Sequence, residues 1–193
     1  MTEIRRLIPF LLEHKRSEDE IVILFDKKNG DPLILEFLLP FNGLHNMVVF
    51  SGEFIDNFAD WKNILNGYCS GDYIYQIDAD EMISEYIINN LHQILSMNSD
   101  VDLIFVPRIN TVNGITQEHI DKWRWNVNDK GYVNFPDRQG RIYKKGMGWY
   151  GKVHERIIGG NKFSSLPEDE EYCIQHHKTI DRQEKQNKFY QSI

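Results

Sequence analysis

The stretch Asp72-Tyr-Ile-Tyr-Gln-Ile-Asp-Ala-Asp-Glu81 decides how this chain is interpreted. Its first half has the β-branched and aromatic composition of a strand, and Asp78 and Asp80 follow where the strand gives way to a loop. Hard divalent cations such as Mg²⁺ and Mn²⁺ bind through one or two carboxylates together with substrate phosphates. The stretch therefore predicts a metal that holds a phosphorylated substrate. The alternative is a helix cap or a solvated turn, where such acids are also common.

The composition is that of an ordinary acidic globular protein. The 193 residues suit one domain, with 41% hydrophobic and 26% charged residues. With 22 basic and 29 acidic side chains the net charge is −7, which argues against nucleic acid and anionic membrane as partners. An anionic substrate would then need a local positive site or a bound cation. The two cysteines provide neither a disulfide framework nor a metal-ligand spacing, so we expect a reduced, soluble, cytoplasmic protein without a membrane span.

Strand and helix patterns alternate over the first 106 residues. Apolar faces or capping residues predict helices at 4–12 (with Pro9 inside), 32–39, 58–68 and 84–97. Apolar runs predict strands at 21–25, 47–50, 73–77 and 103–106, and the first is expected to be buried on both faces. This alternation indicates an α/β domain with a mostly parallel sheet.

Four aspartates fall where predicted strands end or just beyond. They are Asp26, Asp31, Asp78 and Asp80. Because ligands bind beyond the carboxyl ends of the strands in such sheets, we expect a site there.

From residue 107 the pattern changes to turn residues and aromatics. Short strands are expected at 140–144, 152–158 and 172–176, and a polar helix at 181–190. No linker separates this half from the first, so residues 1–193 are expected to form a single domain with a short-stranded, aromatic-rich C-terminal extension.

Four segments, in this order, resemble the nucleotide-sugar glycosyltransferases of the GT-A type, most of all the large inverting family 2. The segments are Ile21 to Asp31, Ala59-Asp-Trp-Lys-Asn63 ahead of Gly71-Asp-Tyr73, Asp78-Ala-Asp-Glu81, and Arg141-Ile-Tyr-Lys144 with Gly148-Trp-Tyr-Gly-Lys-Val-His-Glu155. The likeness spans about residues 17 to 190. A narrower resemblance is to a glycosyltransferase domain encoded by chlorella viruses, which would place the protein in the host cytoplasm.

The resemblance implies a GT-A, Rossmann-like fold and an activity. Residues 1–106 would be the nucleotide- and metal-binding half, and 107–193 the acceptor-binding and catalytic half. The implied reaction moves a sugar from a nucleoside-diphosphate donor, expected to be a UDP-sugar, to a hydroxyl of a glycan or glycoprotein acceptor. Inversion at the anomeric carbon is expected.

The resemblance also implies the donor site. Asp26 would contact the nucleotide base and Asp31 would shape its loop, while Lys62 and Asn63 would lie near the phosphates. Lys62 stands where the family has arginine, so it would meet phosphate as a point charge without the bidentate fork. A second departure is that the family's opening strand is not evident before the first helix.

The metal site implied by the family comes from the central motif. Asp78, Ala79 and Asp80 would meet the donor, and Asp78 and Asp80 would hold Mn²⁺ or Mg²⁺ with its diphosphate. Asp80 is the preferred direct ligand, and the cation would offset the charge on the leaving diphosphate. His176, near the end of the last predicted strand, is expected to join the metal or diphosphate, with His154 as its competitor.

An inverting transfer needs a group that takes the proton of the acceptor hydroxyl. Glu155 is our first candidate for this base and Asp137 the second. The structural alternative for Glu155 is a salt bridge, with Arg156 or Arg141 as partner.

Four aromatic side chains, Trp149 and Trp123 foremost, are candidates for stacking on the acceptor sugar; the others are Trp125 and Tyr150. The alternative is core packing, because Trp and Tyr bury large areas.

Two other functions remain open from the sequence. A metal-dependent hydrolase of phosphoesters or diphosphates would use similar ligands but a water nucleophile. A catalytically idle domain would keep the fold and bind nucleotide or glycan without turnover.

Overall fold

The described residues begin with a helix and then form three separate sets of paired strands. A computed structural model describes residues 2–192. The helices are α1 (Thr2–His14), α2 (Pro32–Leu38), α3 (Phe58–Tyr68), α4 (Glu85–Met97), α5 (Gln117–Trp123) and α6 (Ile180–Ser192). The strands are β1 (Ile21–Asp26), β2 (Met47–Gly52), β3 (Tyr73–Tyr75), β4 (Leu103–Asn113), β5 (Arg138–Lys144), β6 (Gly148–Tyr150), β7 (Arg156–Ile158), β8 (Phe163–Ser165) and β9 (Ile174–Thr179).

Strand β4 is the centre of the larger sheet. It pairs antiparallel with β5, parallel with β8 along its first half and parallel with β9 along its second half. Strand β3 lies antiparallel on the other side of β5, while β1 and β2 form a separate parallel pair and β6 and β7 an antiparallel one. The α/β class is confirmed, with helices flanking a sheet. The pairing is mixed rather than mostly parallel, because β5 comes from the second half of the chain and lies between β3 and β4.

Strand β1 departs from its expected burial. Of its residues only Phe25 is buried, and the rest are half-buried. The run was expected to lie inside a sheet, but it pairs along one edge only, with β2. An apolar run therefore predicted the strand correctly and its burial incorrectly.

One strand, β4, is longer than predicted, and one helix, α5, was not predicted at all. Strand β4 continues through Pro107 to Asn113, with a register shift between Ile104 and Phe105; proline is tolerated in a sheet beside such irregularities. Helix α5 was not predicted. Its capping box uses Thr116 with His119 in the position that glutamate or glutamine usually takes, so the usual signal is missing.

Two groups of buried side chains hold these layers together. The larger lies between the strands and helices α1 and α4 and includes Ile8, Ile87 and Ile174. The smaller surrounds Tyr143 and Trp149. No helix in the described part of the chain is long and apolar enough to cross a membrane.

Candidate active site

The turn after β3 folds one of its acids inward. Residues 78–81 form a turn in which the Glu81 amide donates to the Asp78 carbonyl at 2.9 Å, and the Asp78 amide donates to the Glu81 carboxylate at 3.0 Å. Glu81 is fully buried, at 0% exposure, while Ala79 lies at the exposed corner. The third acid of the motif therefore belongs to the interior.

Two arginines, the buried Arg141 and the half-buried Arg108, neutralise this turn. Arg141 donates to Asp78 at 2.8 Å and also to Glu81, and Arg108 donates to Glu81 at 2.8 Å. Burial alone would raise the pKa of Asp78, but the charges of Arg141 and Lys62 outweigh it and hold the pKa well below its ordinary value. Asp78 is thus ionised and fixed in place by cations.

Lys62 lies between two carboxylates. Its ammonium is 2.6 Å from Glu155 and 3.3 Å from Asp78, and it sits 4.3 Å from the centre of the Trp149 ring. Glu155 is therefore ion-paired, as the structural alternative held, but with Lys62 instead of Arg156 or Arg141. The neighbouring Asn63 donates to the Trp149 carbonyl at 2.9 Å and accepts from the Trp149 amide at 2.8 Å, which fastens β6 to α3.

A second chain of polar contacts leads from Asp137 to Asp80. Asp137 accepts from Arg108 at 2.8 Å and from the Asn110 amide nitrogen at 2.6 Å, so the amide oxygen of Asn110 faces His176, 2.7 Å from its Nδ1. A carboxylate cannot donate, so this orientation of Asn110 follows, and Nδ1 of His176 must carry a proton.

The other ring nitrogen of His176 faces Asp80. Nε2 is 3.2 Å from the Asp80 carboxylate. In neutral imidazole with Nδ1 protonated, Nε2 carries a lone pair, so either a further proton or a cation must lie between these two groups. The main-chain pair between Met82 and Gln175, at 2.7 and 2.9 Å, brings the two segments together.

Asp80 and His176 fit a divalent cation that takes its other ligands from phosphate and water. Asp80 also accepts from the exposed Arg182 at 3.2 Å. Burial would raise the pKa of Asp80, but the hydrogen bond and charge of His176 outweigh it and lower the pKa to about 2. Within residues 2–192 no cluster of three or more His, Cys, Asp or Glu side chains could hold a metal ion by itself. His154 is exposed and its ring lies against Tyr190, so His176, not His154, reaches Asp80.

These groups border a cleft of about 730 Å³. The cleft is lined by Asp78, Asp80, Asp137 and His176. Trp123 at the end of α5, Trp125 after it and one face of α6 also line it. Glu155 and Trp149 are not among the described residues that line this cleft.

Trp149 is buried, at 7% exposure, and donates to the Tyr143 hydroxyl at 3.0 Å. Trp149 is therefore a core residue, whereas Trp123 lies at the cleft.

Comparison with known proteins gives the fold. No protein-family model matches the chain, and no curated protein sequence matches it. Among solved structures, S. aureus TarS 1–349 matches with a TM-score of 0.62 and 13% identity over 91% of this chain and 56% of that one. The complex of TarS 1–349 with UDP-GlcNAc matches with a TM-score of 0.60 and 15% identity, over 92% of this chain and 55% of that one. The complex with UDP matches with a TM-score of 0.60 and 14% identity, over 91% of this chain and 56% of that one.

The chain has a GT-A-like glycosyltransferase fold. It spans about half the length of the TarS structures that it matches. At these identities the likeness establishes the fold alone.

Within this fold the two aspartates after β1 have structural partners. Asp26 accepts from the amides of Lys28 at 3.0 Å and Phe54 at 3.2 Å. Asp31 caps α2 by accepting from the Leu33 amide at 3.0 Å. Neither is among the described residues that line the cleft, so their role at the nucleotide base remains a prediction.

Several residues of the site were not expected from the sequence. Arg141 lies in a segment that carried the family resemblance, so the sequence indicated that it is near the site but not that it pairs with Asp78 and Glu81. Arg108 and Asn110 lie in the part of β4 beyond Pro107, where the strand was expected to have ended. The contribution of α6 to the cleft had no local signal, because its sequence indicates only a polar helix.

Proposed function

We propose that this chain is a metal-dependent glycosyltransferase of the inverting, family-2 type, acting on a nucleoside-diphosphate sugar, a UDP-sugar, and a glycan hydroxyl. The observation that carries the proposal is the approach of Nε2 of His176 to the Asp80 carboxylate at 3.2 Å, with Nδ1 held by the Asn110 oxygen, because a cation can lie between these two groups. The TarS structures with UDP-GlcNAc and UDP support a nucleotide-sugar donor for the shared fold.

Asp80 and His176 would hold Mn²⁺ or Mg²⁺ at the edge of the cleft. When bound, the cation acts as a Lewis acid that stabilises charge on the leaving diphosphate. Asn110 keeps His176 in the ligating tautomer, as the second contact of a metal-binding histidine commonly does. Arg182, already beside Asp80, adds a positive charge that can pair with phosphate oxygens.

Asp78 would meet the donor as a fully ionised, preoriented carboxylate. Arg141 and Lys62 fix both of its oxygens, at 2.8 and 3.3 Å. Lys62 then acts on the donor through Asp78 and Glu155 rather than as an independent phosphate contact.

The base that removes the acceptor proton is one of two carboxylates. Asp137 lines the cleft; burial would raise its pKa, but Arg108 outweighs this and holds the pKa below its ordinary value. Glu155 is 15% exposed and is paired with Lys62. Turnover of Asp137→Asn and Glu155→Gln decides between them: the base variant loses turnover while its affinity for UDP stays unchanged. Full turnover in both would exclude both assignments.

Calorimetric titration with UDP tests the proposal. We expect Mn²⁺ to strengthen UDP binding by about tenfold or more, a difference of about 1.4 kcal/mol. Asp80→Ala should remove this increase, whereas Asp129→Ala, at an exposed loop position, should retain it. A UDP affinity that is the same with and without Mn²⁺, or an Asp80→Ala variant of full activity, would refute the metal-dependent mechanism.

One observation favours an idle domain as the second candidate. Both acids of the motif already have cationic partners, Arg141 and Lys62 for Asp78 and Arg182 for Asp80. Donor turnover with Mn²⁺, measured with and without acceptor, separates the candidates. Slow donor hydrolysis supports the transferase, fast cleavage without acceptor supports a hydrolase, and binding without turnover supports the idle domain.

A further inference from the structure

Two segments of the cleft have a composition that the donor site does not explain. The aromatic segment is residues 123–134, from the last residue of α5 into the connection to β5, and the amide segment is residues 183–191 of α6. Both line the same cleft as Asp80 and His176. An acceptor that binds in this cleft can therefore contact both segments.

The aromatic segment presents a tryptophan pair. The rings of Trp123 and Trp125 lie 4.7 Å apart, tilted by 40°. Both side chains are half-buried, and neither belongs to the two groups of core residues. Indole faces that stay partly open beside a cleft can stack on flat apolar surfaces, which the C–H faces of sugar rings provide.

The amide segment presents one polar, uncharged helix face. Gln183, Asn187 and Gln191 are spaced four residues apart and line the cleft together with Gln186. Gln183 donates to the Asn187 oxygen at 2.9 Å. The charged residues of the same helix from Glu184 onward do not line the cleft; they are Glu184, Lys185 and Lys188. Amide groups both donate and accept, as sugar hydroxyls do.

The charges of the cleft disfavour an anionic acceptor. Its acids are Asp78, Asp80 and Asp137. Its two cations among the described lining residues already have partners: Arg108 binds Glu81 and Asp137, and Lys178 donates to Gln186. A phosphate or carboxylate on the acceptor would meet these carboxylates, because the cation nearest to them, Arg182 beside Asp80, is assigned in the proposed function to the donor phosphates.

We propose that the aromatic and amide segments bind the acceptor, and that the acceptor is an uncharged, polyhydroxylated glycan. The inference rests on the proposed glycosyltransferase function and adds the chemical class of its second substrate. Trp123 and Trp125 contact the apolar faces of the sugar rings, and the amides of Gln183 and Asn187 bond the hydroxyls.

An array of neutral and acidic oligosaccharides, probed with the full chain in the presence of Mn²⁺ and UDP, tests this assignment. We expect binding to neutral oligosaccharides, and a loss of about tenfold in affinity for the best of them in Trp125→Ala, as for a stacking contact. Gln183→Lys and Asn187→Lys should shift the preference toward acidic oligosaccharides. Gln93→Lys adds the same charge on an exposed position of α4 and should leave the preference unchanged.

The outcomes separate this inference from the proposed function. Preferential binding of acidic oligosaccharides by the unmodified chain, or no binding to any of them while UDP still binds, would overturn the acceptor assignment and leave the donor site intact. Lysine variants that bind acidic oligosaccharides no better than Gln93→Lys would also overturn it. Failure to bind UDP with Mn²⁺ would remove the proposed function, and the acceptor assignment with it.

Discussion

Two acidic loops follow two strands of this chain, and they are held by different means. The loop after β1 carries Asp26 and Asp31, whose partners are nearly all neighbours in sequence: the Lys28 and Leu33 amides are two residues away. The turn after β3 carries Asp78 and Asp80, whose partners Arg141 and His176 are 63 and 96 residues away. The same sequence pattern thus produces a locally capped loop in one place and a site assembled from the whole chain in the other.

Burial explains why the second loop needs distant partners. Buried ions are costly to remove from water, so they persist only with opposite charges and hydrogen bonds around them. Glu81 is fully buried and meets two arginines, whereas Asp26 and Asp31 remain within reach of solvent and of main-chain amides. This difference predicts that substitutions in the second loop change stability and metal affinity more than substitutions in the first loop.

The largest effect is expected for Glu81→Ala. It would leave the buried Arg141 and the half-buried Arg108 without their shared partner, a loss of about 3–5 kcal/mol in the free energy of unfolding. Urea denaturation followed by circular dichroism measures it. Glu168→Ala removes an exposed partner of Arg138 and should cost less than about 1 kcal/mol. Similar losses of stability in Glu81→Ala and Glu168→Ala would show that the buried ion pairs of Glu81 stabilise the fold no more than an exposed one.

An intermediate effect is expected for Asn110→Ala. Without its amide, Nδ1 of His176 loses the contact that fixes the tautomer, so Mn²⁺ affinity should fall by about 10–100-fold. Titration of Mn²⁺ followed by electron paramagnetic resonance measures this affinity without any turnover. Asn113→Ala, at the exposed end of the same strand, is the matched control. Unchanged Mn²⁺ affinity in Asn110→Ala would remove the polar chain from Asp137 to His176 as a determinant of metal binding.

The contrast between the loops also marks what a sequence can predict. Helix α4 was expected because its apolar stripe and the Ser84 cap are local features, and the structure confirms both. The metal-binding role of Asp78 and Asp80 was inferred from adjacent residues and stays a prediction. The GT-A-like fold expected from four ordered segments is confirmed by the structural match.

What could not be predicted depends on pairings over long distances. No local pattern states that β5 lies between β3 and β4, and this placement brings Arg141 to Asp78. Nothing near Glu81 in the sequence indicates that two arginines will surround it. Trp149 and Trp123 were both expected at the acceptor, whereas the fold buries Trp149 and places Trp123 at the cleft.

The smallest effect is expected at Asp31, and it sharpens the comparison. Asp31→Ala removes the cap of α2 and should cost about 1 kcal/mol in the free energy of unfolding, while Asp31→Asn should cost only a few tenths because asparagine caps nearly as well. Urea denaturation measures both variants. Since the cap is local, neither variant should change Mn²⁺ affinity, and Asp31→Asn should leave UDP affinity unchanged. A marked loss of UDP affinity in Asp31→Asn, with stability retained, would show that this carboxylate contacts the nucleotide and that the first loop is more than a locally capped turn.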